Sequence, residues 1–287
     1  MEERSIYQKV ETNECSNLEK LEIELLLEGI FRHYGLDFRN YNFSSVRRRI
    51  WHRIQLEKIS SVTALLDKVL RDPQLMEKLF LDLSINVTEM FRDPQFFKVF
   101  RTKVIPILKE IPVIRIWHAG CSTGEEAYSM AILLHEEGLY KKVKIYATDM
   151  NEHVILKARL GRFPLHKMQG YTSNYVASGG KKAFSEYYKV VSEEVEFHPF
   201  LRDIIVFAQH NLVTDSSFNE FHVIICRNVM IYFDRDLQDR VHHLMFESLS
   251  PSGFLGLGNR ESISYTKFNQ LYQEIDSNEK IYQKMKL

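Results

Sequence analysis

Glycines and carboxylates follow one short β-rich run of the sequence. Residues 113–117 (VIRIW) lead into the loop His118-Ala119-Gly120-Cys121-Ser122-Thr123-Gly124-Glu125-Glu126, and an apolar helical segment comes next. The two glycines let the backbone turn tightly and approach a ligand closely. Asp149 ends a second β-rich run, at a position where a carboxylate accepts the hydroxyl protons of a ribose. This pattern predicts a nucleoside-binding site.

The residues beside the glycines distinguish three nucleotide ligands. A triphosphate loop requires Lys-Ser/Thr after its last glycine, whereas Glu125 and Glu126 stand here and would repel the phosphates. A dinucleotide fingerprint is GxGxxG, whereas this loop is GxxxG. The positive sulfonium of S-adenosylmethionine suits the acidic side chains better. Glycines in many α/β turns serve packing alone, so the loop by itself leaves that alternative open.

The sequence from about residue 110 alternates β-rich runs with helical stretches. Nearly continuous apolar runs, typical of parallel strands covered on both faces, lie at 113–117, 143–147, 204–208 and 222–226. Later strands are predicted at 254–258 and 281–285. Glycines, a proline and alternating residues predict a small antiparallel insertion at about 161–203. We therefore expect an α/β, Rossmann-like domain over 91–287, with its ligand beyond the carboxyl ends of the strands.

An all-α domain is predicted over residues 18–90, after a polar tail at 1–17. Apolar residues recur at helical spacing from Leu21 onward, and Gly35 marks the end of that first helix. Ser44 or Ser45 can cap a second helix. In that helix Val46, Ile50 and Ile54 form a buried stripe. Two further helices fit VTALLDKVL and PQLMEKLFLDL.

The composition is that of a soluble globular protein, with 45% hydrophobic and 26% charged residues and a formal net charge of zero among 287 residues. This balance argues against a nucleic-acid-coating protein. The three cysteines and eleven histidines show no metal-ligand spacing, so we expect no metal and no disulfide framework. The polar N-terminus and the lack of a long apolar run predict a cytoplasmic protein that does not insert into a membrane.

Several longer motifs occur together in a fixed order. They are the segment Asn86-Val87-Thr88-Glu89-Met90-Phe91-Arg92-Asp93, the loop AGCSTGEEAYS, the strand end ATDM, the run His210-Asn211-Leu212, and Cys226-Arg227-Asn228-Val229-Met230-Ile231-Tyr232-Phe233-Asp234. Over roughly residues 20–285 they closely resemble the CheR family, the chemotaxis receptor methyltransferases that esterify glutamates using S-adenosylmethionine. His118 stands where the family commonly has Ser, and Gly258-Asn259-Arg260-Glu261 replaces its usual glycine-(His or Asn)-Ser-Glu.

The resemblance implies a set of site residues. Those assigned to the cofactor are Asn86, Thr88, Arg92, Glu126, Asp149, Asn211, Leu212, Asn228 and Val229. Which end of the cofactor each acid contacts stays open. The catalytic pair would be Arg92 and Tyr232 near the reacting methyl group, with S-adenosylhomocysteine as the product. Without the resemblance, Arg92 would more often form an ion pair with Asp93, and Tyr232 would be a core residue.

The reaction implied by the resemblance needs no strong base. A glutamate side chain has a pKa of about 4.3 and is already ionised at neutral pH. Arg92 and Tyr232 would therefore orient the carboxylate rather than activate it. Two alternatives remain open, a non-catalytic S-adenosylmethionine-binding signalling module and the same reaction on a protein other than a chemoreceptor.

A local excess of bases distinguishes the second predicted helix. Residues 1–27 hold seven acids and three bases, whereas residues 28–60 hold seven bases and three acids. The resemblance suggests that Arg47, Arg48, Arg49 and Arg53 contact the acidic cytoplasmic helical bundle of a methyl-accepting chemotaxis receptor. A solvated helix face is the alternative. Nucleic acid is a distant third, because the patch is short and aromatic residues are not interleaved with it.

Overall fold

The computed structural model describes residues 2–84 and 86–286, with side chains described from residue 17 onward. The side chains of the predicted polar tail at 1–17, Cys15 included, thus lie almost wholly outside the described residues. The described chain forms two compact units. One holds the N-terminal residues to Ile85 together with Tyr232–Leu237, and the other holds Asn86–Ile231 and Gln238–Leu287.

The first unit consists of helices, as the sequence predicts. These are α1 (Glu2–Tyr34), α2 (Phe43–Leu56), α3 (Val62–Arg71) and α4 (Pro73–Leu83). Val46, Ile50 and Ile54 are buried, which confirms the predicted stripe on α2. The predicted cap was wrong by two or three residues, because α2 begins earlier and the Asn42 side chain accepts from the Ser45 N–H.

The second unit is built on a seven-stranded sheet. Its strands are β1 (Ile114–Ala119), β2 (Val143–Asp149), β6 (Ile205–Gln209), β7 (Phe221–Cys226), β8 (Leu249–Leu257), β9 (Tyr272–Asp276) and β10 (Ile281–Lys284). The strand order is β6-β2-β1-β7-β8-β10-β9. The first five are parallel to their neighbours, and β10 is antiparallel to both β8 and β9. The expected mostly parallel α/β fold is confirmed.

The helices of this unit are α5 (Pro94–Val99), α6 (Ile105–Leu108), α7 (Glu125–Glu136), α8 (Glu152–Leu160), α9 (Met168–Ala177) and α10 (Pro199–Asp203), with a π-helical turn at Phe100–Val104 between α5 and α6. Helix α11 (Arg235–Ser248) belongs to this unit from Gln238 onward. Nine of the twelve residues of α7 are buried. This helix therefore runs through the core and places its first turn, with Glu125 and Glu126, beside the loop that follows β1.

The small insertion forms a separate antiparallel sheet in the order β3-β5-β4. Its strands are β3 (Arg162–Pro164), β4 (Tyr188–Val191) and β5 (Glu194–Phe197), and α9 lies between β3 and β4. Tyr175 and Tyr187 donate their hydroxyl protons to Glu136 at the end of α7. These contacts attach the insertion to the core of the same unit.

Candidate active site

The loop after β1 turns where the sequence places its glycines. Gly120 and Gly124 adopt positive φ angles of 77° and 94°, which glycine reaches without a steric penalty. A Cβ at Gly120 would lie 2.5 Å from Cγ2 of Val229, and one at Gly124 would lie 3.0 Å from Cβ of Ala158. These glycines therefore permit a close approach of the loop to neighbouring protein segments, at Val229 and Ala158.

Asp149 lies at the carboxyl end of β2 and is buried. Its Oδ2 accepts from the Ser122 N–H at 2.9 Å, its Oδ1 accepts from the Asn151 N–H at 3.0 Å, and the Met150 N–H is a further backbone donor. Burial raises the pKa of this carboxyl above its usual value, although the backbone hydrogen bonds oppose that effect. A carboxylate has about four acceptor positions, so Asp149 keeps capacity for further donors.

Ser122 gives a second polar group at the same place. Its hydroxyl is buried and has no hydrogen-bond partner among the described residues. A carboxylate with spare acceptor positions beside an unpartnered hydroxyl fits a ligand that carries hydroxyl groups, such as the ribose of S-adenosylmethionine. The donor set is therefore compatible with the predicted nucleoside.

Glu126 is held on both sides. Nδ1 of His118 lies 3.0 Å from its Oε1, and Nη1 of Arg227 lies 3.0 Å from its Oε2. Burial alone would raise the pKa of Glu126, but the hydrogen bond from His118 and the charge of Arg227 together lower it. The carboxyl is thus ionised at neutral pH, and because an ionised carboxylate only accepts, Nδ1 of His118 carries the proton.

The neighbouring acid, Glu125, differs from Glu126. It accepts from the hydroxyls of Thr123 at 2.6 Å and Tyr171 at 3.3 Å, and burial raises its pKa. The hydrogen bonds and the charge of Lys167 oppose this rise only in part, whereas Arg227 pairs directly with Glu126. The two adjacent acids therefore differ: burial holds the pKa of Glu125 above its usual value, whereas His118 and Arg227 hold the pKa of Glu126 below it.

The segment that carries Arg92 is held in an unusual conformation. Phe91 and Asp93, on either side of Arg92, have positive φ angles of 50° and 53°. Such backbone costs about 1–3 kcal/mol at each non-glycine residue, and it persists only where the surroundings enforce it. Here the Phe91 N–H donates to the Ser129 hydroxyl at 2.9 Å, and the Arg92 carbonyl accepts from Arg227 at 3.2 Å.

The Arg92 guanidinium donates to the Val87 carbonyl at 3.3 Å. Asp93 forms its ion pair with Arg227, at 2.7 Å, and not with Arg92. The alternative that the sequence left open, an Arg92–Asp93 salt bridge, is therefore wrong. Thr88 and Asn86 lie upstream in the same unit and are half-buried.

The loops after β6 and β7 complete this edge of the sheet. The His210 N–H donates to the Asp149 carbonyl at 3.1 Å, which places Asn211 and Leu212 next to the end of β2. The Asn211 side chain accepts from the Val213 N–H at 3.0 Å, and Leu212 is buried. Because β6, β2, β1 and β7 are parallel neighbours, their following loops lie along one edge.

Sequence reasoning assigned no role to Glu261, although it lies in one of the quoted motifs. This carboxylate is 5% exposed and accepts four backbone N–H groups, those of Asn228, Val229, Met230 and Gly258, at 2.7–2.9 Å. Asn228 has a positive φ of 61°. Glu261 thus fixes the loop that carries the predicted cofactor residues Asn228 and Val229.

Tyr232 belongs to the compact unit of the N-terminal helices. Its carbonyl accepts from the Asn42 N–H at 2.7 Å, and the Arg49 guanidinium lies 5.6 Å from the centre of its ring. The segments 40–42 and 232–234 pair at two further points. The Asp234 N–H donates to the Asn40 carbonyl, and Tyr41 forms an antiparallel bridge with Phe233. The pairing of Arg92 with Tyr232 stays a prediction.

Most arginines of α2 contact acids or carbonyls of their own unit. Arg47 pairs with Glu19 at 2.6 Å, Arg53 pairs with Asp82 at 2.7 Å, and Arg49 donates to the Asp82 carbonyl at 2.8 Å. Arg48 is exposed, and the Arg47 side chain is 50% exposed despite its ion pair. The surface available to a partner is therefore centred on Arg47 and Arg48.

No group of three or more His, Cys, Asp or Glu side chains within residues 17–84 and 86–286 could hold a metal ion. In the same part of the chain, no helix is both long enough and apolar enough to cross a membrane.

Comparison with known families agrees with the observed fold and with the predicted cofactor. The sequence model of the CheR methyltransferase SAM-binding domain matches residues 86–281, and that of the CheR all-alpha domain matches residues 21–84. The chain is thus an S-adenosylmethionine-dependent methyltransferase, which confirms the cofactor predicted from the sequence. It belongs to the CheR methyltransferase family.

Three named methyltransferases match this chain over most of its length. The chain is 44% identical over 264 residues to the Pseudomonas putida protein named methyltransferase Cher3, covering 92% of this chain and 97% of that protein. It is 30% identical to the chemotaxis protein methyltransferase of Listeria innocua, with 81% of this chain and 86% of that one covered. Chemotaxis protein methyltransferase 2 of Pseudomonas aeruginosa is 30% identical, with 82% and 84% covered.

Proposed function

We propose that this protein transfers the methyl group of S-adenosylmethionine to glutamate side chains of chemotaxis receptors, giving glutamyl methyl esters and S-adenosylhomocysteine. The observation that carries the proposal is the shared donor at the site. One nitrogen of Arg227 donates both to the Arg92 carbonyl and to the Glu126 carboxylate. The segment proposed to face the substrate therefore adjoins an acid proposed to bind the cofactor. Relatives named as chemotaxis protein methyltransferases supply the substrate class.

The proposed roles follow from the charges of the reactants. S-adenosylmethionine, when bound, supplies a methyl group on a positively charged sulfur. Asp149 and Ser122 would hold its ribose, and the ionised Glu126 would attract its positive charge. Asn86, Thr88, Asn211, Leu212, Asn228 and Val229 would enclose the rest of the cofactor. No metal takes part in this scheme.

The protein's task toward the substrate is orientation. The glutamate oxygen has to lie in line with the bond that breaks, roughly 3–3.5 Å from the methyl carbon. Arg92 can direct the carboxylate through its planar fork of donors, and Tyr232 can donate one further hydrogen bond. The substrate carboxylate forms the new bond to carbon with its own electron pair, so no residue has to remove a proton. Excluding water helps, since two opposite charges disappear in the step.

The direct test is methyl transfer from labelled S-adenosylmethionine to cytoplasmic fragments of methyl-accepting receptors. We expect label in the receptor that is released by mild base, because carboxylate esters are base-labile. Base-stable label would contradict ester formation. Label on another protein but not on receptors would support the alternative substrate. Binding of S-adenosylhomocysteine without any transfer would support a non-catalytic signalling module.

We further propose that Arg47 and Arg48 contact the acidic helical bundle of the receptor. Arg47→Glu with Arg48→Glu should raise the receptor concentration for half-maximal rate by about threefold to tenfold at low salt. The effect should shrink at high salt, because exposed charges are screened. Lys68→Glu with Arg71→Glu, an equal charge change at exposed positions of α3, is the matched control. Equal effects of both double variants would assign the change to net charge instead of docking.

A further inference from the structure

Arg227 is a fully enclosed charge at the site. Its side chain is 0% exposed. One Nη donates to the Glu126 carboxylate at 3.0 Å and to the Arg92 carbonyl at 3.2 Å, and the other donates to the Asp93 carboxylate at 2.7 Å. The guanidinium carbon lies 4.2 Å from the centre of the Phe96 ring. A single side chain thus joins the loop after β7, the Arg92 segment and the first turn of α7.

The geometry of these contacts restrains their partners strongly. A guanidinium is planar and presents its donors in a rigid fork, so its partners are fixed in one plane. The contact with the Phe96 ring further restrains the guanidinium. Oε2 of Glu126 is bound by Arg227 and Oε1 by His118. Neither oxygen of Glu126 can then rotate without breaking a charged contact in a buried environment.

A second buried arginine of the same unit, Arg101, is the structural comparison for Arg227. Arg101 is 7% exposed and forms ion pairs with Glu136 and with Glu137. Glu136 ends α7 and Glu137 directly follows it, whereas Glu126 lies in the first turn. Ten residues of helix separate Glu126 from Glu136, about 15 Å along the axis. Arg101 therefore resembles Arg227 in burial and pairing but lies away from the strand-end loops.

We propose that Arg227 is a positioning residue for methyl transfer. It holds the Glu126 carboxylate in the orientation that binds the cofactor, and it fixes the strained backbone on both sides of Arg92 so that this side chain can meet the substrate. The inference rests on the proposed roles of Glu126 and Arg92. It adds that both residues depend on one guanidinium, which acts through them.

The first test measures cofactor affinity apart from catalysis. Arg227→Gln removes the charge and most of the fork, so calorimetry should show S-adenosylhomocysteine binding about tenfold to hundredfold more weakly than in the wild type. Arg101→Gln is the matched control. Both variants should lower the melting temperature without ligand, but Arg101→Gln should keep its affinity within about twofold. Wild-type affinity in Arg227→Gln, with its melting temperature lowered as in the control, would overturn the proposal.

A double-mutant cycle tests the route through Glu126. If Arg227 acts by orienting that carboxylate, Arg227→Gln should weaken binding much less in a Glu126→Gln background than in the wild type. Equal losses in both backgrounds would overturn this route. Should Arg227→Gln fail to fold, Arg227→Lys retains the charge but cannot reach both carboxylates. It should then bind S-adenosylhomocysteine at least about threefold more weakly than the wild type, and undiminished binding would again overturn the proposal.

These outcomes are separable from failure of the proposed function. A wild-type protein that binds S-adenosylhomocysteine but does not methylate receptors would contradict the substrate proposal and leave the affinity comparison valid. At saturating cofactor, Arg227→Gln should also lower the methylation rate constant, because the Arg92 backbone has lost its donor. A change confined to cofactor affinity would remove Arg92 from the inference and retain Glu126.

Discussion

Replacing Glu261 by Gln should disturb the cofactor site without removing any residue proposed to contact the cofactor. The carboxylate accepts two N–H groups at each oxygen, Val229 and Met230 at Oε1 and Asn228 and Gly258 at Oε2. An amide keeps one oxygen but sets an NH₂ group against two backbone donors. Glu261→Gln therefore loses two of the four hydrogen bonds at nearly constant volume.

The magnitude follows from the type of bond lost. A hydrogen bond to a charged group contributes about 1.5–3 kcal/mol, so two such bonds correspond to about 3–6 kcal/mol. That is a large part of the roughly 5–15 kcal/mol that stabilises a typical domain. In a domain of this size, 3 kcal/mol lowers the melting temperature by about 6–12 °C. Since Asn228 needs restraint to keep its positive φ, S-adenosylhomocysteine should also bind at least about tenfold more weakly.

Thermal unfolding and calorimetry with S-adenosylhomocysteine measure the two effects. Glu279→Gln is the matched control, because Glu279 is 9% exposed and its Oε2 has no hydrogen-bond partner among the described residues. We expect that variant to change the melting temperature by only a few degrees. Near-wild-type melting and affinity in Glu261→Gln would refute the view that this carboxylate holds the loop.

Three further predictions concern single side chains. Tyr232→Phe should slow methyl transfer about tenfold to a hundredfold at unchanged S-adenosylhomocysteine affinity, and Arg92→Ala should be slower still. A methylation rate that stays constant from pH 6 to 8 would agree with the absence of a general base, whereas a change in rate near pH 7 would contradict it. His118→Ser removes a donor that lowers the pKa of Glu126, so calorimetry from pH 7 to 4.5 should show affinity falling at a higher pH than in the wild type; coincident curves would refute this. Burial lowers the pKa of His242 to about 4. Since an unfolded histidine takes up its proton near pH 6.5, the free energy of unfolding should fall by about 3 kcal/mol as the pH drops from 6.5 to 4. Denaturant titrations should show that His242→Gln removes this contribution.

The sequence predicted the buried strands well because their signal is local. The apolar runs at 143–147 and 222–226 correspond to β2 and β7 within two residues, since strands covered on both faces leave little room for polar side chains. Strand β9 was not predicted. Its sequence is YQEID, it pairs only with β10 at the end of the sheet, and Gln273 and Glu274 are exposed. A polar edge strand gives no such signal.

Helix α9 was also not predicted, because tertiary contacts rather than its local sequence stabilise it. The segment MQGYTSNYVA contains glycine and β-branched residues, which are poor helix formers. Its helix is stabilised by Tyr171 and Tyr175, which are buried and donate to Glu125 and Glu136 on α7. Those acceptors lie 46 and 39 residues away in the sequence, so no local window contains the information.

The candidate site was likewise predictable in part. That the loops after β1, β2, β6 and β7 meet could be predicted, because parallel strands end at one edge of a sheet. Which side chains hold them could not. Arg227 and Glu126 are 101 residues apart, and Glu261 and Val229 are 32 apart. A buried charge paired over such distances has no spacing that a sequence pattern can detect.

The acidic and basic segments of the N-terminal region are neither purely solvated nor purely a docking surface. The acid excess at 1–27 and the base excess at 28–60 partly neutralise each other, because Glu19 on α1 pairs with Arg47 on α2. That pair is half exposed on its arginine side, and exposed ion pairs contribute little to stability. A receptor carboxylate could therefore exchange with Glu19 at little cost. Arg53 is 12% exposed and bound to Asp82, so substituting it should lower stability before it alters docking.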